Sequence, residues 1–101
     1  MKAITFQAIE QLSYETVDDP ILEAPTDVVI EVEVAGVCGS DLHVYHGRES
    51  GLDVGTVMGH EYLGRVAAIA SGVETLAIGD RVVGPFTSNC GECFYCRRGL
   101  T

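Results

Sequence analysis

The sequence contains no tryptophan and only 7% aromatic residues, so any core it buries must be built mainly from Val, Ile, Leu and Ala. It is also short of positive charge. Six basic residues against fifteen acidic leave a net charge of −9, a field that repels phosphate backbones and anionic lipid, and the basic residues form no stripe. Nucleic acid and membrane surfaces are therefore not expected partners. No uncharged apolar run approaches the ~18 residues of a membrane span, and the start Met1-Lys2-Ala3-Ile4-Thr5 lacks the apolar segment of a signal peptide. A cytoplasmic address is the default expectation. No Gly-x-Gly-x-x-Gly lies between a strand and a long helix, so no dinucleotide-binding fold is expected within these residues.

What is present suits one soluble globular domain: 101 residues, 47% of them hydrophobic. Lys2 to Gln7 and Tyr14 to Val17 read as short edge strands, with Pro20 and Pro25 breaking the acidic stretch behind them. From Val28 to Val34 apolar and acidic residues alternate, placing Val28, Ile30, Val32 and Val34 on one face and Val29, Glu31 and Glu33 on the other. Gly36 and Gly39 end that strand. Ser40 is placed to cap one short helix running to about His46, and the glycines at 47, 51, 55 and 59 predict a surface loop. Strand character resumes over Glu61 to Ile69 and again over Arg81 to Val83, and Pro85 opens a cysteine-rich lobe. Short strands joined by glycine turns predict a mainly β fold, a small antiparallel barrel or strongly bent sheet.

Two groups of residues carry metal chemistry. Cys38 and His60 supply a thiolate and an imidazole, and Glu61 a carboxylate, a set that suits catalytic zinc with an open position. Asp41, in the same turn as Cys38, is placed to accept from the other ring nitrogen of His60 and fix its tautomer. The second group is Cys90-Gly91-Glu92-Cys93-Phe94-Tyr95-Cys96, where thiols recur every third residue as in a structural zinc knuckle. Cysteines of a reducing compartment serve as ligands more often than as disulfides. Arg97 and Arg98 adjoin the knuckle, where their charge would offset that of zinc-bound thiolates.

Taken singly, each of these residues has an ordinary core or surface reading. Together, Gly59-His60-Glu61 with Gly64, Ala70 and Val73 behind it, Cys38-Gly39-Ser40-Asp41-Leu42-His43, and Gly79-Asp80-Arg81-Val82 resemble the zinc-dependent medium-chain alcohol dehydrogenases. The resemblance runs from about Lys2 to the end. It implies a GroES-like, partly open β-barrel spanning 1–101, with residues 85–101 starting a structural-zinc lobe and the Rossmann domain lying outside this chain. It also implies that Cys38 and His60 bind catalytic zinc, the third ligand being either Glu61, as in polyol-type relatives, or a cysteine or aspartate beyond Thr101, and that Cys90, Cys93 and Cys96 hold structural zinc, a fourth cysteine falling beyond Thr101. Ser40 would hydrogen-bond the substrate hydroxyl and pass its proton toward His43, while His46 is the less favoured histidine. The implied reaction is hydride transfer between a small alcohol or carbonyl and NAD or NADP in a longer, homo-oligomeric enzyme, with negligible turnover by these residues alone. A non-catalytic zinc-binding GroES-like module is the alternative.

Overall fold

Val66, the largest fully buried apolar side chain, lies in the middle strand of a three-stranded antiparallel sheet. The computed structural model describes residues 1–100. This sheet has the order β3 (Val28–Ala35), β4 (Tyr62–Ile69), β5 (Arg81–Gly84), and a hairpin of β1 (Lys2–Ala8) and β2 (Gln11–Thr16) forms the other sheet. One helix, α1 (Gly39–Tyr45), connects β3 to β4, and a single 3-10 turn at Cys96–Arg98 closes the cysteine-rich segment. Among the described residues all strand pairs are antiparallel. Among the described residues no helix is long and apolar enough to cross a membrane.

The alternation of β3 is interrupted by two irregularities, between Val29 and Ile30 and between Val32 and Val34. The second leaves Glu33 without a register partner, and its carboxylate reaches across the sheet. Arg65 Nε donates to Oε1 at 2.9 Å, and the Arg81 guanidinium meets Oε2 at 3.1 Å, so one acidic group ties together three strands. Bulges twist and bend a strand, and here Val32 and Val34 stay more than half exposed. Gly64 shows how closely β4 meets β3: a Cβ there would sit 2.6 Å from Ile30 Cγ2 and closer still to the Glu31 carbonyl.

The expected pair of edge strands is corrected in one respect, because only β2 is an edge along its length. β1 is paired on its other side by residues 55–58: Phe6 N donates to Thr56 O at 2.9 Å, Gly55 N to Phe6 O at 2.8 Å and Met58 N to Ile4 O at 2.8 Å. Thr5, fully buried between the two partners, accepts from Gln7 Nε2 at 2.9 Å and hydrogen-bonds the Glu15 carboxylate. The segment thus pinned leads directly into Gly59 and His60. The hairpin turn is fastened as well, by the Glu10 amide donating to Tyr45 O at 2.8 Å at the end of α1.

Candidate metal centre

Register carries Cys38 and His60 to the same place. Ala35 pairs with Tyr62 at the end of the β3–β4 ladder, and Gly36 N donates to Glu61 O at 2.9 Å as a further rung. Beyond that rung the two chains part, one into α1 and one into the 55–58 segment. Gly59 has φ 103, a left-handed backbone that an L side chain would strain, and its bend delivers His60 against the start of α1. Cys38 Sγ and His60 Nε2 are 2.9 Å apart despite the 22 residues between them.

The N-cap of α1 is Cys38, not Ser40 as the sequence suggests. The Asp41 carboxylate accepts from the Cys38 amide at 2.9 Å, while the Cys38 sulfur faces the Asp41 amide, a reciprocal capping box with sulfur in the usual place of a hydroxyl. Ser40 is thereby free to turn its hydroxyl inward, 2.8 Å from Cys38 Sγ and 3.2 Å from His60 Nε2. The other oxygen of Asp41 lies 3.3 Å from His60 Nδ1. The imidazole is held between a thiol on one nitrogen and a carboxylate on the other.

These contacts polarise the group. The Ser40 hydroxyl, then the Asp41 amide, lower the Cys38 thiol below its ordinary value, and the bond to Cys38, reinforced by the Asp41 carboxylate, raises His60. Ligand atoms of Cys38, Asp41 and His60 all lie within 4.8 Å of one another. A polarised thiol and an imidazole whose second nitrogen is oriented by a carboxylate are the donor chemistry of zinc.

Glu61 lies outside this set, and a Cβ on Gly36 would sit 3.6 Å from its Oε2. His43 is exposed on α1 and, among the described residues, makes no side-chain hydrogen bond to Ser40. His46 faces Glu10 at 3.4 Å, away from the centre. A cavity of about 320 Å³ opens beside Ser40, Asp41 and His60, with Val57, Met58 and Phe86 among its walls. Phe86 was not visible as a site residue in the sequence, since it stands 26 positions from His60 and carries no ligand chemistry.

The second group is built from local steps. The Cys93 amide faces Cys90 Sγ at 3.4 Å and the Cys96 amide faces Cys93 Sγ at 3.5 Å, the same three-residue turn made twice. Cys96 Sγ then lies 3.4 Å from Cys93 Sγ and 3.9 Å from Cys90 Sγ. The Cys96 amide, with the neighbouring thiols, lowers Cys93 to about 7, and the Glu92 and Cys93 amides lower Cys90. Arg98 stacks over Phe94, 3.7 Å from the ring centroid, which engages its charge with the aromatic face. Three exposed or half-exposed thiols at this spacing fit a tetrahedral zinc site with one position left over.

Residues 24–101 match the model of the alcohol dehydrogenase GroES-like domain. A zinc-type alcohol dehydrogenase-like protein of Bacillus subtilis is 44% identical over 99% of this chain, which covers 26% of that protein. Alcohol dehydrogenase TADH from Thermus sp. ATN1 superposes with a TM-score of 0.91 at 46% identity, over 99% of this chain and 29% of that one. The alcohol dehydrogenase RspB from Escherichia coli CFT073, in complex with NADH, gives 0.78 at 35% identity over 99% and 28%. The chain spans about a quarter to a third of the length of the curated relatives it matches. With a mainly β fold, a single short helix and the Cys38/His60 pairing, the chain belongs to the zinc-dependent medium-chain alcohol dehydrogenases, as their GroES-like domain.

Proposed function

We propose that this domain carries the zinc centre of an alcohol or polyol dehydrogenase, in which hydride passes between an alcohol or carbonyl compound and NAD or NADP. The observation that supports it best is the convergence of Cys38 Sγ, Ser40 Oγ and His60 Nε2 to within 3.2 Å of one another at the wall of a cavity. Cys38 and His60 would hold the ion. Asp41 has both oxygens committed, one to the Cys38 amide and one to His60 Nδ1, so its role is to position the imidazole. Glu61 lies outside the Cys38, Asp41 and His60 set, beside Gly36, and would have to turn toward the ion to serve as the third ligand. Zinc, when bound, acts as a Lewis acid that lowers the pKa of the alcohol.

Ser40 lines the cavity beside Cys38 and His60, and a hydroxyl can both accept and donate, so in this reading it orients the substrate hydroxyl and relays its proton. Onward transfer is assigned to His43, one helical turn along α1, by way of solvent or a hydroxyl of the cofactor. Asp41 keeps His60 Nδ1 protonated and Nε2 available. Cys90, Cys93 and Cys96 would bind a second, structural zinc. The whole reading is tested by exchanging this segment for the matching segment of the Thermus enzyme. Alcohol-dependent reduction of NAD or NADP is expected from the chimera and is abolished by Cys38→Ala; a chimera that folds and takes up zinc but oxidises no alcohol refutes it.

A further inference from the structure

Glu49 is a wall residue of the same cavity that exposes Ser40, Asp41 and His60. Its neighbours on that wall are apolar, Leu52, Val57 and Phe86 among them. The loop bearing it is tied to α1, since the amides of Arg48 and Glu49 donate to His43 O at 2.8 and 3.4 Å and the Gly47 amide to Val44 O at 3.0 Å. Among the described residues the Glu49 carboxylate has no hydrogen-bond or ion-pair partner. Asp41, the other acid lining the cavity, has both oxygens engaged. Glu49 is solvent-exposed, and a carboxylate is an acceptor only, so beside Leu52, Val57 and Phe86 it can exchange water for a donor that a ligand in the cavity brings and a purely alkyl ligand does not.

We infer that Glu49 is a specificity-determining residue, which holds a second hydrogen-bond donor of the substrate, a hydroxyl or an ammonium group, while the reacting hydroxyl lies at Ser40. This rests on the reading of the Cys38/His60 centre as an alcohol site and names the kind of alcohol it takes. The preference depends on the side chain at position 49 and not on the metal ligands.

The test titrates the zinc-loaded chain with 1-propanol, 1,2-propanediol and 1-amino-2-propanol, following the NMR shifts of His60 and of the amides around Ser40. The diol and the amino alcohol are expected to bind about tenfold more tightly than the monoalcohol, and Glu49→Leu is expected to bring all three within about twofold. Glu49→Gln separates the two donors: it retains much of the diol preference, because an amide oxygen still accepts, and removes the ammonium preference. Equal binding of all three by the unaltered chain, or a preference that survives Glu49→Leu, overturns the assignment of Glu49 and leaves the alcohol site standing. Absence of any alcohol-dependent shift at His60 and Ser40 overturns both. An unchanged amide spectrum away from the cavity in each variant establishes that the fold is retained.

Discussion

The two cysteine-bearing groups reach similar donor geometry by opposite means. Cys38 and His60 are brought together by a strand register, a left-handed glycine and a second sheet that pins residues 55–58. Cys90, Cys93 and Cys96 are brought together by two successive turns with no strand among them. The first is prepared by the fold before any ion arrives, and the second relies on local turns, so metal binding must supply more of its order. A half-sheltered pair buttressed by Asp41 therefore stands against three thiols of which Cys90 and Cys93 are exposed.

Removing a ligand tests that contrast most severely. Zinc competition with a chromophoric chelator is expected to resolve a tight and a weak site; Cys38→Ala weakens the tight one by at least about a hundredfold, whereas Cys93→Ala removes only the weak one. Equal loss from both variants would show that the sheet contributes nothing to affinity. Next in size is Gly64→Ala, whose Cβ meets Ile30 and the Glu31 carbonyl. It is expected to destabilise the domain by about 1–3 kcal/mol in urea denaturation and to disturb the Cys38/His60 contact while leaving the thiol spacing of the knuckle intact.

Asp41→Asn keeps the helix cap but loses the negative charge on His60 Nδ1, and about tenfold weaker zinc binding at that site alone is expected in the same competition assay. The smallest effect concerns the knuckle without metal. Cys93 is lowered to about 7 because amide and thiol hydrogen bonds favour its thiolate. Thiolate is the reactive form, so alkylation of Cys93, read by mass spectrometry, is expected to rise through pH 7 and level off above it, about twofold higher at the plateau than at the midpoint. A rate still climbing steeply at pH 9 would contradict this.

How much of this was legible depended on the range of the interactions. The knuckle could be read from spacing alone because its contacts span three to six residues. The β3 strand was equally plain, since alternation is a local signal, but its bulge at Glu33 was not: it serves Arg65 and Arg81, 32 and 48 positions away. The pairing of β1 with residues 55–58 was hidden for the same reason, and the glycine-rich stretch gave no strand pattern to suggest it. Ser40 looked like a helix cap because hydroxyls usually are. Its contact with His60, 20 positions away, is known only once the register is known. Phe86 and Glu49 became site residues solely through the cavity they share with His60.

The Gly36–Glu61 rung has a consequence for how the chain can change in length. One residue added between Ala35 and Cys38, or between His60 and Tyr62, would displace a ligand by about 3.3 Å and undo the centre. The stretch from Gly47 to Val54 is bounded on one side by α1 and on the other by the residues clamped to β1, so insertions there leave both ligands where they are. That stretch also carries Glu49 and Leu52. A longer or shorter loop there is expected to reshape the cavity wall at Leu52 while the Cys38–His60 contact is kept.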